Sequence, residues 1–158
     1  MNIDSRELRD ALGQFATGVC LVTTIDDEGV AQALTINSFS SVSLDPPLVL
    51  WSLQKDADIY PVYATAQKYC IAVLSEAQAE YSNGYAQKGG HRLADAHFEA
   101  GHNGAPLIKG ALVNFECSLE QTYDGGDHII LMGRVTRMSA VDPQPPLVFF
   151  GGGYRGLR

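Results

Sequence analysis

Cysteine is scarce and unpatterned: Cys20, Cys70 and Cys117 are an odd set of three, far apart, with no Cys-x-x-Cys pair. That excludes a disulfide framework and leaves three buried thiols in a reducing cytoplasm as the expectation. Long hydrophobic runs are missing as well. Stretches such as Leu48 to Trp51 and Leu147 to Phe150 stop far short of the roughly 18 residues that a membrane span requires. Met1 to Asp10 carries Asp4, Arg6, Glu7, Arg9 and Asp10 where a secretory leader would be apolar. A cytoplasmic chain without a membrane partner is expected. Positive charge is in deficit, with 11 Lys and Arg against 18 Asp and Glu for a net −7. Such a surface repels polyanions, so nucleic acid is not an expected partner, although one small anion held locally is allowed.

What is there is one domain's worth of chain, 158 residues, 46% hydrophobic and 18% charged, with 16 Gly. A single domain over 1–158 is expected, and the glycine excess predicts tight turns and backbone brought close to a ligand. Asp4 and Glu7 have capping-box spacing ahead of Leu8, Ala11, Leu12, Phe15 and Ala16, which predicts an amphipathic helix ending near Gly18. The period then changes. Val19 to Thr24 and Val30 to Ile36 read as strands about an Asp26–Gly29 turn, and Leu48 to Leu53 as a strand after Asp45-Pro46-Pro47. Asp56 to Gln67 has helical character, with Asp56 or Asp58 as cap and Pro61 in the first turn. A strand over Tyr69 to Leu74 and a helix over Glu76 to Gln87 follow, then a long irregular segment from Lys88 to Pro106. Leu112 to Tyr123 and His128 to Val141 read as long strands joined across Gly125-Gly126, and Leu147 to Phe150 as a last short one. Six or seven strands and three helices, joined mostly by hairpins, predict a mainly β fold: an antiparallel barrel with peripheral helices.

Several chemistries fail on spacing or context. Gly151-Gly152-Gly153-Tyr154-Arg155-Gly156 formally satisfies Gly-x-Gly-x-x-Gly, but no helix and no acidic residue about 20 positions on can follow it before Arg158. His91, His97 and His102 are separated by more than the two to four positions of usual ligand pairs, so no metal is expected. No Gly-x-Ser-x-Gly elbow is present. The distinctive stretch is Thr35 to Ser43, where Thr35, Asn37, Ser38, Ser40, Ser41 and Ser43 supply donors and acceptors directly after a strand. Such a surface suits the polar edge of a heteroaromatic ligand, and equally an exposed sheet face. Gly126-Asp127-His128, opening a strand, places a histidine either in solvent or at the mouth of a pocket.

Five pieces in order resemble the short-chain flavin reductase family of FMN-binding split-barrel proteins, the reductase components of two-component flavin monooxygenases. They are Leu12-Gly13-x-Phe15-x-Thr17-Gly18-Val19, Thr35-x-Asn37-Ser38-Phe39-x-Ser41-Val42-Ser43, Asp45-Pro46-Pro47-Leu48-Val49, Gly126-Asp127-His128, and Phe150-Gly151-Gly152-Gly153-Tyr154-Arg155. The resemblance implies a six- to seven-stranded split β-barrel, a homodimer with flavin at the subunit interface, and oxidation of NADH or NADPH. FMN or FAD would be reduced and passed to a flavin-dependent monooxygenase. It also implies that Thr35, Ile36, Asn37 and Ser38 contact the isoalloxazine and ribityl chain, with Ser52, Leu53 and the helix start near Asp58 beside the flavin's tail. Lys88, with Arg92 and Arg155, would serve the phosphate. Family members often continue from that lysine with Asp-Arg-Phe, where this chain has Gly90-His91-Arg92-Leu93. His128, the expected catalytic residue, and Tyr154 match positions flanking the nicotinamide or the exposed flavin face. A flavin-binding electron carrier without nicotinamide turnover is the nearest rival within the fold. A split-barrel protein for haem or a pyridoxine phosphate is a third reading.

Overall fold

The structure, a computed structural model, describes residues 2–157. Asp4 caps helix α1 (Ser5–Leu12): its Oδ1 accepts from the amides of Arg6 at 2.9 Å and Glu7 at 3.0 Å, satisfying donors the helix itself cannot. The helix stops at Leu12 rather than near Gly18, because the next residues are claimed by the other end of the chain. The Gly13 carbonyl accepts the Gly151 amide at 2.8 Å, and β1 (Thr17–Gly18) pairs with Phe149 and Val148.

Then come β2 (Cys20–Ile25), β3 (Ala31–Ile36), β4 (Ser40–Leu44), β5 (Pro47–Gln54), α2 (Tyr60–Thr65), β6 (Lys68–Val73) and α3 (Ala79–Tyr85). After them lie β7 (Phe98–Ala100), β8 (Pro106–Ile108), the long hairpin of β9 (Val113–Gly125) and β10 (His128–Ala140), and β11 (Val148–Phe150) with β12 (Gly153–Arg155). Seven strands form one antiparallel sheet in the order β3-β2-β6-β9-β10-β5-β4. Its edges, β3 and β4, are consecutive in sequence and linked only by residues 37–39, which reach at most about 14 Å. The sheet therefore curls until its edges face each other, yet they are not hydrogen-bonded neighbours. This is a split barrel.

The inward alternation of β5 buries Val49, Trp51 and Leu53. Trp51 meets Tyr63 and Tyr69 edge-on at 5.6 and 5.8 Å, an arrangement that aromatic quadrupoles favour. Gly133, on β10, is obligatory there: a Cβ would lie 2.5 Å from the Tyr69 hydroxyl. On the outer face, Leu21, Ala33, Leu74, Tyr85, Ile108 and Leu147 form a second cluster beneath α3 and the segment that follows it.

Two further expectations change. Neither Asp56 nor Asp58 caps α2, which spans only Tyr60–Thr65: Ile59 holds the cap position with no side-chain bond among the described residues, and the Asp58 carboxylate turns to Gly89 and His91 instead. The segment 88–106 is not irregular throughout. Leu93 is buried, its amide bonds Ala31 at 2.9 Å, and β7 pairs with β8. The Asn103 amide anchors the far loop on the buried Glu116 at 2.9 Å.

Candidate functional site

The end of β3 divides two grooves. One, of about 250 Å³, gathers Thr35, Ile36, Asn37, Ser38, Ser52, Leu53 and His128, together with Leu34, Gln54 and Ala57. The other, of about 220 Å³, shares Thr35, Ile36 and Asn37 and adds Tyr154, Val19, Ser82, Ala86 and Phe149. Residues separated by more than a hundred positions meet here because β10 pairs with β5, setting His128 opposite Gln54, and because β11 and β12 return past β1.

Hydrogen bonds sort these side chains. The Thr35 hydroxyl donates to the Ser82 carbonyl at 2.7 Å, and the Ser82 hydroxyl is in turn bonded to that of Tyr154. Ser38 Oγ accepts the Ser52 amide at 2.9 Å and donates to its carbonyl at 3.3 Å, which ties the 37–39 link to β5. Asn37 is exposed. Among the described residues its amide has no side-chain bond, so both its donor and its acceptor face outward for a ligand. His128 Nδ1 lies 2.6 Å from Asp127 Oδ1, leaving Nε2 as the ring's free edge. That contact, chiefly its hydrogen bond, holds the Asp127 carboxyl below the usual range.

Asp58 follows Ala57 on the rim of the first groove. Its Oδ2 accepts the Gly89 amide at 2.6 Å and its Oδ1 meets His91 Nε2 at 2.8 Å. The Gly89 amide above all, and then His91, lower its pKa against the opposing effect of burial. Lys88 is exposed, between Ala86 on the second groove and Gly89 on Asp58, and forms no ion pair among the described residues. Two other cations stand elsewhere. Arg92 is bridged to Gln32, and its charge acts on Asp26 at the opposite end of β3, the last contribution after the Val30 amide and Gln32. Arg155 folds back so that Nη1 donates to the Tyr154 carbonyl at 3.0 Å.

Ser82, Gln54 and His91 were not singled out for the site by their local sequence. Gln78, Ser82 and Tyr85 do fall at i, i+4 and i+7, the spacing of one helical face, and that is the signal that could have found Ser82. The chemistry of the grooves is not that of thiols: burial pushes Cys20 and Cys117 up to about 12, which leaves them without reactive thiolate at neutral pH.

The donor set fits a flat, polar-edged ligand. Apolar Val19, Ile36, Phe149 and the Tyr154 ring offer faces, while Asn37 and the His128 edge offer polar contacts. The Thr17 hydroxyl, on β1 beside Phe149, is buried with no hydrogen-bond partner among the described residues. Each groove is smaller than the roughly 300–1,000 Å³ typical of sites for drug-sized ligands. A ligand of flavin size would therefore span both or be covered by another surface.

Residues 12–158 match the family described as flavin reductase like domain. The reductase subunit HsaB of a flavin-dependent monooxygenase from Rhodococcus jostii (strain RHA1) is 37% identical over 155 residues, 98% of this chain and 79% of that protein. The FMN reductase (NADH) SmoA of Agrobacterium fabrum (strain C58 / ATCC 33970) is 42% identical over 151 residues, 96% of this chain and 85% of that one. Among solved structures, BorF, the flavin reductase component of a bacterial two-component tryptophan halogenase, superposes with a TM-score of 0.90 at 39% identity, covering 98% of both chains.

Proposed function

The chain belongs to the flavin reductase-like family, and from that premise we propose that it is an NAD(P)H-dependent flavin reductase. It transfers hydride from NADH or NADPH to FMN or FAD and supplies the reduced flavin to a separate monooxygenase. The observation that carries this is the convergence of Thr35 to Ser38, Ser52, Leu53 and His128 on one groove that opens, across Asn37, into a second one lined by Tyr154. Two shallow grooves that adjoin at Asn37 suit a flavin laid across both, with its outer face left open to a nicotinamide. Flavin and nicotinamide supply the redox chemistry when bound, and the protein contributes binding and orientation.

In this reading Asn37 and the backbone of residues 36–38 hold the flavin's polar edge. Ser38 shapes that edge through Ser52 rather than by its own hydroxyl, and Thr35 likewise acts through Ser82. His128 presents Nε2 to the nicotinamide or to the exposed flavin face. Tyr154, fixed by Ser82, walls the second groove. Lys88 attracts the phosphate, while Arg155 takes part only if its side chain leaves the Tyr154 carbonyl, and Arg92, whose backbone is bridged to Gln32, only if its side chain reaches toward the grooves.

A homodimer sharing the site belongs to the same proposal. It is supported by the open grooves and by apolar side chains left in solvent, Leu8, Leu12 and Phe15 at the N-terminus and Val42 and Leu44 on the edge strand β4. Apolar exposure on this scale marks interaction surfaces. A single domain in the cytoplasm completes the reading: all three cysteines are free, and no described helix is long and apolar enough to cross a membrane. Anaerobic oxidation of NADH and of NADPH, each with added FMN and FAD, tests the function. Catalysed reduction in any pairing supports it, whereas tight flavin binding with no nucleotide oxidation assigns the chain to electron carriage.

A further inference from the structure

We infer that His91 is a positioning residue for the flavin phosphate: together with Asp58 it pins the Lys88–Gly90 segment against β3, so that Lys88 is presented between the two grooves. The inference rests on the flavin reading above and concerns a residue that reading leaves idle.

His91 is 5% exposed, unusual burial for so polar a ring. Its Nδ1 lies 3.1 Å from the Ala33 carbonyl and its Nε2 2.8 Å from Asp58 Oδ1. Both partners are acceptors, so the ring bridges the Ala33 carbonyl and the Asp58 carboxylate. The same carboxylate reaches with its other oxygen to the Gly89 amide at 2.6 Å. The His91–Asp58 contact thus joins three pieces of chain: the start of α2, the edge of β3, and the segment carrying Lys88.

The backbone agrees. The Ala33 amide donates to the His91 carbonyl at 2.8 Å, the Leu93 amide to Ala31 at 2.9 Å, and Gln32 bridges Arg92. The register ends at His91; just before it the Gly90 amide bonds the Gln87 carbonyl at 2.9 Å, a turn that carries Lys88 and Gly89, and Asp58 holds the Gly89 amide. At Gly89 the chain turns away with φ +76°, a conformation that glycine adopts freely, and by Ala86 it lines the second groove. Lys88 therefore lies on a backbone fixed at both sides. Without the pair, the segment would have to be ordered at the moment an anion binds, and that ordering would be subtracted from the affinity.

The test compares FMN with riboflavin, which lacks the phosphate, by direct binding measured through flavin fluorescence. Wild type, Lys88→Ala, His91→Ala, His91→Gln and the double variant Lys88→Ala/His91→Ala are compared. Wild type is expected to favour FMN by about tenfold, the worth of one charge-assisted contact. Lys88→Ala and His91→Ala each bring the ratio toward one, and the double variant goes no further than Lys88→Ala, as expected of residues that act in series. His91→Gln, which keeps a donor, gives an intermediate ratio. Equal weakening of FMN and riboflavin in His91→Ala would overturn the proposal by assigning His91 to the fold alone, and so would a double variant that adds the two losses. Protein that prefers FMN through His91 but oxidises no nicotinamide nucleotide supports the clamp and ends the reductase reading. Protein that reduces flavins with no preference for FMN does the reverse.

Discussion

Asn37 and His128 line the same groove but have different freedom, and that difference separates their expected phenotypes. Asn37 has both its donor and its acceptor to give a ligand, so Asn37→Ala should weaken flavin binding first, by about tenfold for one lost hydrogen bond to a polar ring edge. His128 is tethered by Nδ1 to Asp127 and offers a single edge. His128→Ala should therefore raise KM for the nicotinamide nucleotide or lower kcat by a similar factor of about ten, with a smaller change in flavin affinity. Flavin fluorescence and steady-state rates on the two variants check this, and an equal loss of flavin binding in both would place His128 in the flavin site or the fold. The Thr35 to Ser38 run was legible in sequence because polar side chains in a row after an apolar strand are conspicuous. The division of labour within it was not, since Thr35 and Ser38 spend their hydroxyls on Ser82 and Ser52, partners 47 and 14 residues away. His91 was equally hidden: its spacing from His97 and His102 spoke only against a metal, and nothing local announces Asp58 as its partner.

Strands and hairpins followed their periods closely, because alternation is a local signal and the β9–β10 hairpin runs for 13 residues on each side. Element bounds depart from the local pattern where distant contacts override it. Helix α1 loses Phe15 and Ala16 from its expected length to the pairing of β1 with β11, and β12 forms only because Gly151 and Gly152, both at positive φ, reverse the chain into a hairpin. The segment after α3 is the clearest case, since its order comes from Asp58, the edge of β3 and Glu116 rather than from its own glycine- and histidine-containing sequence. Amide hydrogen exchange distinguishes the two pictures. The amides of Ala33 and Leu93, bonded to His91 and Ala31, should exchange with the slow class of the barrel strands, whereas a mobile loop would release Leu93 with the fast class.

At the scale of the molecule, one 17.0 kDa chain supplies shallow adjoining grooves, exposed apolar side chains at two places, and an acidic surface on which Lys88 makes no ion pair among the described residues. Light scattering should give twice the chain mass at micromolar protein, and a monomer that turns over at full rate would contradict the shared site. The barrel and its cofactor class were legible because the motifs that carry the resemblance fall on the ends of strands, and strand ends are what the fold brings together. The choice of nucleotide and of downstream monooxygenase was not, since it depends on surfaces that no single motif encodes. The most direct measurement of the central claim is the initial rate of anaerobic NADH or NADPH oxidation with FMN or FAD, with and without the protein. A catalysed loss of nicotinamide absorbance matched mole for mole by flavin bleaching is the predicted result; rates equal to the protein-free control in all four pairings would contradict it.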